Sequence, residues 1–146
     1  MTQVSTNRYT MKKQLFKTLA IVACSFALLS MAIVKSNQNE PWEVPEEYKN
    51  MKNPYAGSKD ADKIGYTLYS QYCATCHGEK GEGDGINALL LETPVAKFTE
   101  QYIQSQSDGS FYYKIYTGRN EMPSFEYIIP VEEDRWMVVN YVKSLK

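Results

Sequence analysis

A single short string, Cys73-Ala74-Thr75-Cys76-His77, constrains this chain more than any other part of its sequence. His77 is the only histidine among the 146 residues. Two cysteines separated by two residues and followed directly by histidine are typical of covalent haem attachment. Two intervening residues put both sulfurs on one side of a helical turn, where each can add to one porphyrin vinyl group. We therefore predict one covalent haem c, attached through Cys73 and Cys76 and ligated at its iron by His77.

The cysteine pair has three other interpretations, and each fits the sequence less well. A thioredoxin-like redox site needs a βαβ context, which the surrounding sequence does not show. A structural zinc ion needs four Cys or His ligands, and only Cys24 remains, far upstream in an apolar segment. A disulfide between Cys73 and Cys76 would leave the adjacent histidine unexplained.

The second axial ligand of the iron must be a residue other than histidine. Haem proteins that transfer electrons pair histidine with a methionine thioether, which raises the reduction potential. Met122 lies in the loop string Gly118-Arg119-Asn120-Glu121-Met122-Pro123-Ser124, where Pro123 opposes a helix and favours extended backbone. A loop 45 residues beyond His77 can cross to the other haem face. We predict Met122 as the distal ligand.

Other assignments of the distal position stay open. Met122 could be an ordinary apolar loop residue, and the sixth position could be empty, as in a haem enzyme or a gas sensor. Met137 follows Trp136 on a predicted helix, where methionine ordinarily packs in a core. Met51 lies before the haem motif in a stretch rich in proline and asparagine.

The two parts of the chain carry opposite charges. Residues 1–35 contain five basic side chains and no acidic one, whereas residues 36–146 contain 11 basic and 17 acidic side chains, a net charge of −6. The acidic domain argues against a nucleic-acid partner. It favours redox partners with a basic docking surface, because opposite charge accelerates encounter at low salt.

An uncharged run of 17 residues, 18–34, follows the basic flank formed by residues 1–17. At about 1.5 Å per residue, a helix of this length is just long enough to cross a bilayer core. The positive flank would stay in the cytoplasm. We therefore predict a single-pass inner-membrane anchor, an N-terminal apolar helix that places the following domain in the periplasm.

Two other functions of this apolar segment remain open. It could be a cleaved signal peptide, with residues 19–29 as its apolar stretch and Ser30-Met31-Ala32 as the cleavage site. It could also belong to a lipoprotein acylated at Cys24. Both alternatives deliver the domain to the periplasm, as an exported soluble protein or as a lipid-anchored one, and covalent haem attachment requires export as well.

Residues 35–57 are polar and contain three prolines, which indicates a tether. A coil of ~20 residues would span roughly 25 Å, although Trp42 and Val44 could instead pack back onto the domain. Residues 58–146 are predicted to form one small all-α domain with helices over 60–72, 99–106, 108–117 and 131–145. In the first of these helices, Ile64, Leu68 and Tyr72 recur on one face. The glycines between Gly78 and Gly85 fit no phosphate-binding pattern, so we expect them to let the backbone turn tightly beside the haem.

The chain resembles the class I mono-haem cytochromes c of bacteria over about residues 59–145. The similar strings are Cys73–Gly78, Gly81–Gly85, Pro94–Thr99, Ser107–Gly109, Gly118–Pro123, Asp134–Trp136 and Tyr141–Leu145. The resemblance implies three to five helices around a covalent haem c, with the first and last helices crossing. Gly65 and Tyr69 would meet Trp136 and Tyr141 at that crossing, and the carbonyl of Pro94 would orient the proximal imidazole.

These inferences converge on an electron carrier that is not itself an enzyme. One haem c, ligated by His77 and Met122, would pass electrons between respiratory partners such as an oxidase, a reductase or a quinol-oxidising complex. No small-molecule substrate is expected. The alternatives are a haem subunit of a larger redox complex, and a haem enzyme or gas sensor with an open sixth position.

Overall fold

The computed structural model describes residues 41–145, and the chain from Trp42 onward forms one compact unit. The basic flank, the apolar segment 18–34, Cys24 and the first residues of the predicted tether lie outside the described residues. Within 41–145, no helix combines the length and the apolar character that crossing a membrane requires.

The described part of the chain contains six α-helices and no β-strand. They are α1 (Glu46–Lys49), α2 (Ala61–Tyr72), α3 (Ala74–His77), α4 (Gln101–Gln104), α5 (Asp108–Thr117) and α6 (Glu132–Ser144). One 3-10 turn, Ala88–Leu90, joins α3 to the long loop before α4. The prediction of an all-α domain is confirmed, with α1 and α3 as short helices that the sequence analysis did not separate.

The bounds of α5 agree with the prediction because both ends carry sequence signals. The Ser107 side chain accepts a hydrogen bond from the backbone N–H of Ser110, which caps the first turn. Gly118 ends the helix at a φ of 65°, a conformation that favours glycine. The helix predicted over 99–106 is shorter, Gln101–Gln104, since Glu100 has extended backbone.

Helices α2 and α6 cross in close contact, as the resemblance implied. A Cβ atom on Gly65 would overlap the carbonyl oxygen of Met137 and lie 2.8 Å from Cβ of Tyr141. Only glycine permits this approach. The predicted apolar face of α2 is confirmed only in part: Leu68 is half-buried against the core, but Tyr72 is exposed, and the buried residues are Ala61, Gly65 and Tyr69. Gly65 lets the two backbones approach each other, and the rings of Tyr69 and Tyr141 pack 5.0 Å apart across the same pair of helices.

Aromatic rings fill the core between α5 and α6. Tyr112 stacks on Trp136 at a centroid distance of 4.2 Å, and Trp136 and Tyr69 are fully buried. The buried Arg135 guanidinium donates to the Tyr112 hydroxyl at 3.0 Å and to the Ile129 carbonyl at 2.5 Å. These bonds satisfy a charge that would otherwise be costly to bury.

Ion pairs contribute little to this fold. Within the described range, the two pairs are Lys49–Glu46 at 2.6 Å and Lys143–Asp108 at 3.9 Å. The first is exposed and the second is partly exposed, and such surface pairs stabilise by about 0–1 kcal/mol. The domain is held instead by apolar burial and aromatic packing.

Residues 42–55, which we call the N-terminal strap, pack on the domain. Val44 is buried at 7% exposure, and the ring of Tyr48 contacts that of Tyr113 at 4.8 Å. A Cβ atom on Gly109 of α5 would overlap the Tyr48 carbonyl oxygen. The compact unit therefore begins at Trp42, upstream of the predicted domain start at residue 58, because Val44 is buried and Tyr48 packs against α5.

Candidate haem site

The haem motif forms a short helix that follows α2 after a break at Cys73. The amides of Cys76 and His77 both donate to the Cys73 carbonyl, at 3.1 and 2.9 Å. Both motif cysteines are free thiols and partly buried. Burial, and secondarily the neighbouring Cys76, raises the pKa of the Cys73 thiol to about 12. Neither cysteine is engaged in a disulfide, so both sulfurs remain free for the predicted attachment, with Cys73 held as the protonated thiol.

The surroundings of His77 fix the orientation of its imidazole. Its Nδ1–H donates to the Ala96 carbonyl at 3.3 Å, and the Phe98 ring stacks on it at a centroid distance of 4.4 Å and an angle of 19°. Burial lowers the pKa of His77, although the bond to Ala96 opposes that shift. The imidazole is therefore neutral near pH 7, with the proton on Nδ1 and the Nε2 lone pair free for a metal.

The resemblance implied that Pro94 would supply the carbonyl that orients His77. The structure shows the Ala96 carbonyl in this role. Pro94 itself is exposed. The Phe98 amide, two residues after Ala96, donates to the Gly81 carbonyl at 2.7 Å. This bond holds the segment against the glycine-rich loop, with the Ala96 carbonyl facing the imidazole of His77.

The glycine-rich loop after the motif folds back and satisfies the motif's own carbonyl groups. The amides of Gly83, Gly85 and Asn87 donate to the carbonyls of His77, Cys76 and Thr75, at 2.8, 3.2 and 3.0 Å. A Cβ atom on Gly85 would overlap the Thr75 carbonyl oxygen and lie 2.6 Å from the Cys76 carbonyl carbon. The loop therefore has the mechanical role that the sequence analysis expected.

A buried tyrosine hydroxyl also holds the motif, and the sequence analysis missed this role. Tyr69 donates to the Gly78 carbonyl at 2.6 Å, immediately after His77. Burial raises the pKa of Tyr69 well above its usual range, so the hydroxyl remains a donor at any physiological pH. The only available sequence signal was its position eight residues before His77 on the buried face of α2.

Met122 lies at the end of a tight turn. The amides and carbonyls of Arg119 and Met122 bond reciprocally, at 2.9 and 3.0 Å, and Asn120 between them has a positive φ of 53°. Met122 is partly buried and packs against the core cluster that Cys73 and Phe98 also contact. The predicted distal ligand and the proximal residues thus border the same core.

The Met122 turn lies in residues 118–124, which we call the distal loop. Residues that are distant in the sequence hold this loop in place. The Glu121 carboxylate accepts from the Glu92 amide at 3.1 Å, and the Asn120 side chain donates to the Thr93 hydroxyl at 3.2 Å. Hydrogen bonding, first from the Thr93 side chain, lowers the pKa of Glu121. The loop before α4 therefore supports one side of the distal loop.

The other candidate methionines occupy different positions. Met137 is buried at 1% exposure in α6, where it packs as the sequence analysis expected. Met51 is exposed at 36% and lies in the N-terminal strap beside Gly109. Among the methionines that the structure describes, only Met122 packs against the core cluster from a loop.

The described residues fit a covalent haem c. Two free thiols lie in one short helix, a neutral imidazole offers Nε2, and a partly buried thioether borders the same core. This site in a small helical domain defines a class I c-type cytochrome domain, which carries covalently bound haem c. The chain belongs to the family described as cytochrome C oxidase, cbb3-type, subunit III, whose model matches residues 60–142, more than half of the sequence. A search of curated proteins finds no match.

Proposed function

We propose that this chain transfers electrons through one haem c on the periplasmic side of the inner membrane. Cys73 and Cys76 would hold the haem covalently, while His77 and Met122 would supply the two axial ligands. The observation that carries the proposal is the imidazole of His77, held in one tautomer by the Ala96 carbonyl and in one plane by the Phe98 ring. Haem-based electron transfer is the general function of a c-type cytochrome domain.

The bound haem would supply a one-electron iron couple, and the protein's residues would keep its surroundings unchanged. Tyr69 and the amides of Gly83 and Gly85 fix the carbonyls around His77, so the proximal ligand has little freedom to move. A buried core of aromatic rings borders the site on the protein side. Rapid electron exchange requires that the groups around the iron rearrange little between the two oxidation states. A reaction with a substrate would be carried out by a partner protein.

The partner class follows from charge and from family. The net charge of −6 on residues 36–146 favours a partner with a basic docking face. The family is named for a subunit of a cbb3-type cytochrome c oxidase, which makes a fixed haem subunit the second candidate beside a mobile carrier. Residues 18–34 are proposed as the anchor in either case.

Purification separates the mobile carrier from the subunit. The full chain is expressed in a host with cytochrome maturation, and membranes are solubilised in a mild detergent at low and at high salt. A subunit remains with a larger complex at both salt concentrations, whereas a carrier elutes alone at high salt because its docking is electrostatic. A haem domain recovered entirely from the soluble fraction would contradict the retained anchor.

The distal ligand is tested by Met122→Ala. We expect the weak red absorption band of thioether-ligated ferric haem to disappear, the reduction potential to fall, and the iron to bind cyanide readily. The matched control is Met137→Ala, which removes a buried side chain and should cost about 2–5 kcal/mol of unfolding free energy while keeping the band. A Met122→Ala variant that retains the band would refute the assignment and indicate Met51 or Met137 as the ligand, whereas an unmodified protein that lacks the band would favour the enzyme or sensor alternative.

A further inference from the structure

Trp42, the first residue of the N-terminal strap, contacts Lys114 of α5 and Arg119 of the distal loop. The Arg119 guanidinium carbon lies over its indole ring at 5.4 Å from the centroid, and the Lys114 ammonium at 5.7 Å. A cation within about 6 Å of an indole face is attracted by the ring's quadrupole. Tryptophan is the strongest of the aromatic side chains in this interaction.

The two cations are also close enough to repel each other. Burial, and secondarily the charge of Arg119, lowers the pKa of Lys114. The electron-rich indole face offsets part of this repulsion. Without the indole ring, Arg119 would still be repelled by Lys114 but would lose its attraction to the ring face. The side chain and backbone of Arg119 would then be less well fixed in position.

Arg119 is the opening residue of the turn that presents Met122. Its backbone N–H and carbonyl bond to the carbonyl and N–H of Met122, so any displacement of residue 119 moves residue 122 with it. Glu92 and Thr93 support the turn through Glu121 and Asn120. Trp42 therefore supports Arg119, at the start of the turn. The hydrogen bonds from residues 92 and 93 reach Asn120 and Glu121 instead.

The strap fixes Trp42 in place independently of the distal loop. Val44 is buried, and the Asn53 side chain donates to that of Asn140 at 2.7 Å. Asn140 in turn donates to the Tyr55 carbonyl at 3.0 Å. These contacts join the strap to α6, so Trp42 is supported from the rigid core.

We propose that Trp42 is a positioning residue for the distal ligand, acting through Arg119 to hold the Met122 thioether in place. This inference rests on the proposed function, since it requires Met122 to bind the iron. The N-terminal strap then sets the fraction of molecules in which the distal position is open. Loss of the indole raises that fraction, and the apparent affinity for an external ligand rises in proportion.

The test measures the apparent affinity of the ferric, haem-loaded full chain for cyanide. Trp42→Leu keeps apolar bulk and removes the cation-binding face, and we expect the affinity to rise by roughly fivefold, the size of one partly buried cation–π contact. Trp42→Phe retains a weaker aromatic face and should give an intermediate value. An affinity for Trp42→Leu within about twofold of the unmodified protein would overturn the inference, with a band-less Met122→Ala still supporting the proposed function.

Lys114→Gln is the matched control. It removes the other cation over the same ring and leaves the Trp42–Arg119 contact, so the affinity should change by less than about twofold. Should Trp42→Leu fail to load haem, Arg119→Gln tests the same contact from the opposite side. An Arg119→Gln affinity that matches that of Lys114→Gln would overturn the inference.

A double-mutant cycle establishes that the effect passes through Met122. In a Met122→Ala background the thioether is gone, so Trp42→Leu should no longer change cyanide affinity. An effect that persists in this background would overturn the positioning role. If Met122→Ala alone binds cyanide no more tightly than the unmodified protein, the distal assignment fails and the inference fails with it.

Discussion

The proximal and distal sides of the haem site are held by different kinds of contact. On the proximal side, residues 73–87 bond mainly to one another, with the amides of Gly83, Gly85 and Asn87 returning to the motif's own carbonyls. On the distal side, the Met122 turn contacts residues 92 and 93 and, through Arg119, residue 42. The carbonyl groups of the motif are therefore satisfied largely within one segment, whereas the Met122 turn also depends on segments that are distant in the sequence.

Gly118→Ala should have the largest effect, and it should act on the distal side. Gly118 has a φ of 65°, and a Cβ atom there would overlap backbone atoms of Met122 and Pro123. Backbone strain and overlap together should cost about 4 kcal/mol of unfolding free energy. Thermal denaturation gives the free energy, and the ferric spectrum should lose the thioether band while the haem stays covalently attached.

Gly57→Ala is the control for this substitution. Gly57 also has a positive φ, 76°, but a Cβ atom there meets nothing within 4 Å. Its cost should be limited to backbone strain, about 1 kcal/mol, with the band retained. Equal losses in the two variants would show that overlap in the distal loop contributes nothing.

Gly85→Ala applies the same test to the proximal side. Its Cβ atom would overlap the backbone of the motif helix at Thr75 and Cys76, at a cost of about 2–3 kcal/mol. Because the motif itself is displaced, the yield of haem-bearing protein should fall, which mass spectrometry measures. Normal haem attachment with loss of the thioether band would reverse the proposed contrast between the two sides.

Tyr69→Phe should give the smallest of these effects. It removes the hydrogen bond to the Gly78 carbonyl, which also accepts from the Gly81 amide at 3.2 Å. We expect a loss of about 1 kcal/mol of unfolding free energy, measured by chemical denaturation, with axial ligation unchanged. Tyr102→Phe, at an exposed tyrosine, should change the free energy by less than about 0.5 kcal/mol.

The sequence predicted what depends on local signals. The bounds of α5 came from residue type and spacing, whereas the crossing of α2 and α6 at Gly65 was implied by the family resemblance. The proximal motif is readable for the same reason: its atoms are brought together by a few consecutive residues. The assignment of Cys73, Cys76, His77 and Met122 to the haem stays a prediction from that motif and from the loop string.

Features that depend on tertiary packing were missed. Nothing in the residues around Pro94 indicates that Ala96, two positions later, faces the imidazole. The prolines and polar residues of the strap predict a tether, and the sequence allows Trp42 and Val44 to pack back onto the domain without showing which residues they would contact. The partners of Trp42 and Tyr48 on α5 and in the distal loop lie more than 60 residues away in the chain, a separation that periodicity and spacing do not reveal.

The scarcity of ion pairs in the described domain has a consequence for measurement. Since added electrolyte has few attractive charge pairs to weaken inside residues 41–145, the native state should persist across a wide range of ionic strength. The acidic exterior, in contrast, should respond strongly. The rate of electron exchange with a redox partner, measured at increasing salt concentration, would therefore report on the encounter of the two proteins. The fold of this domain should not change over the same range.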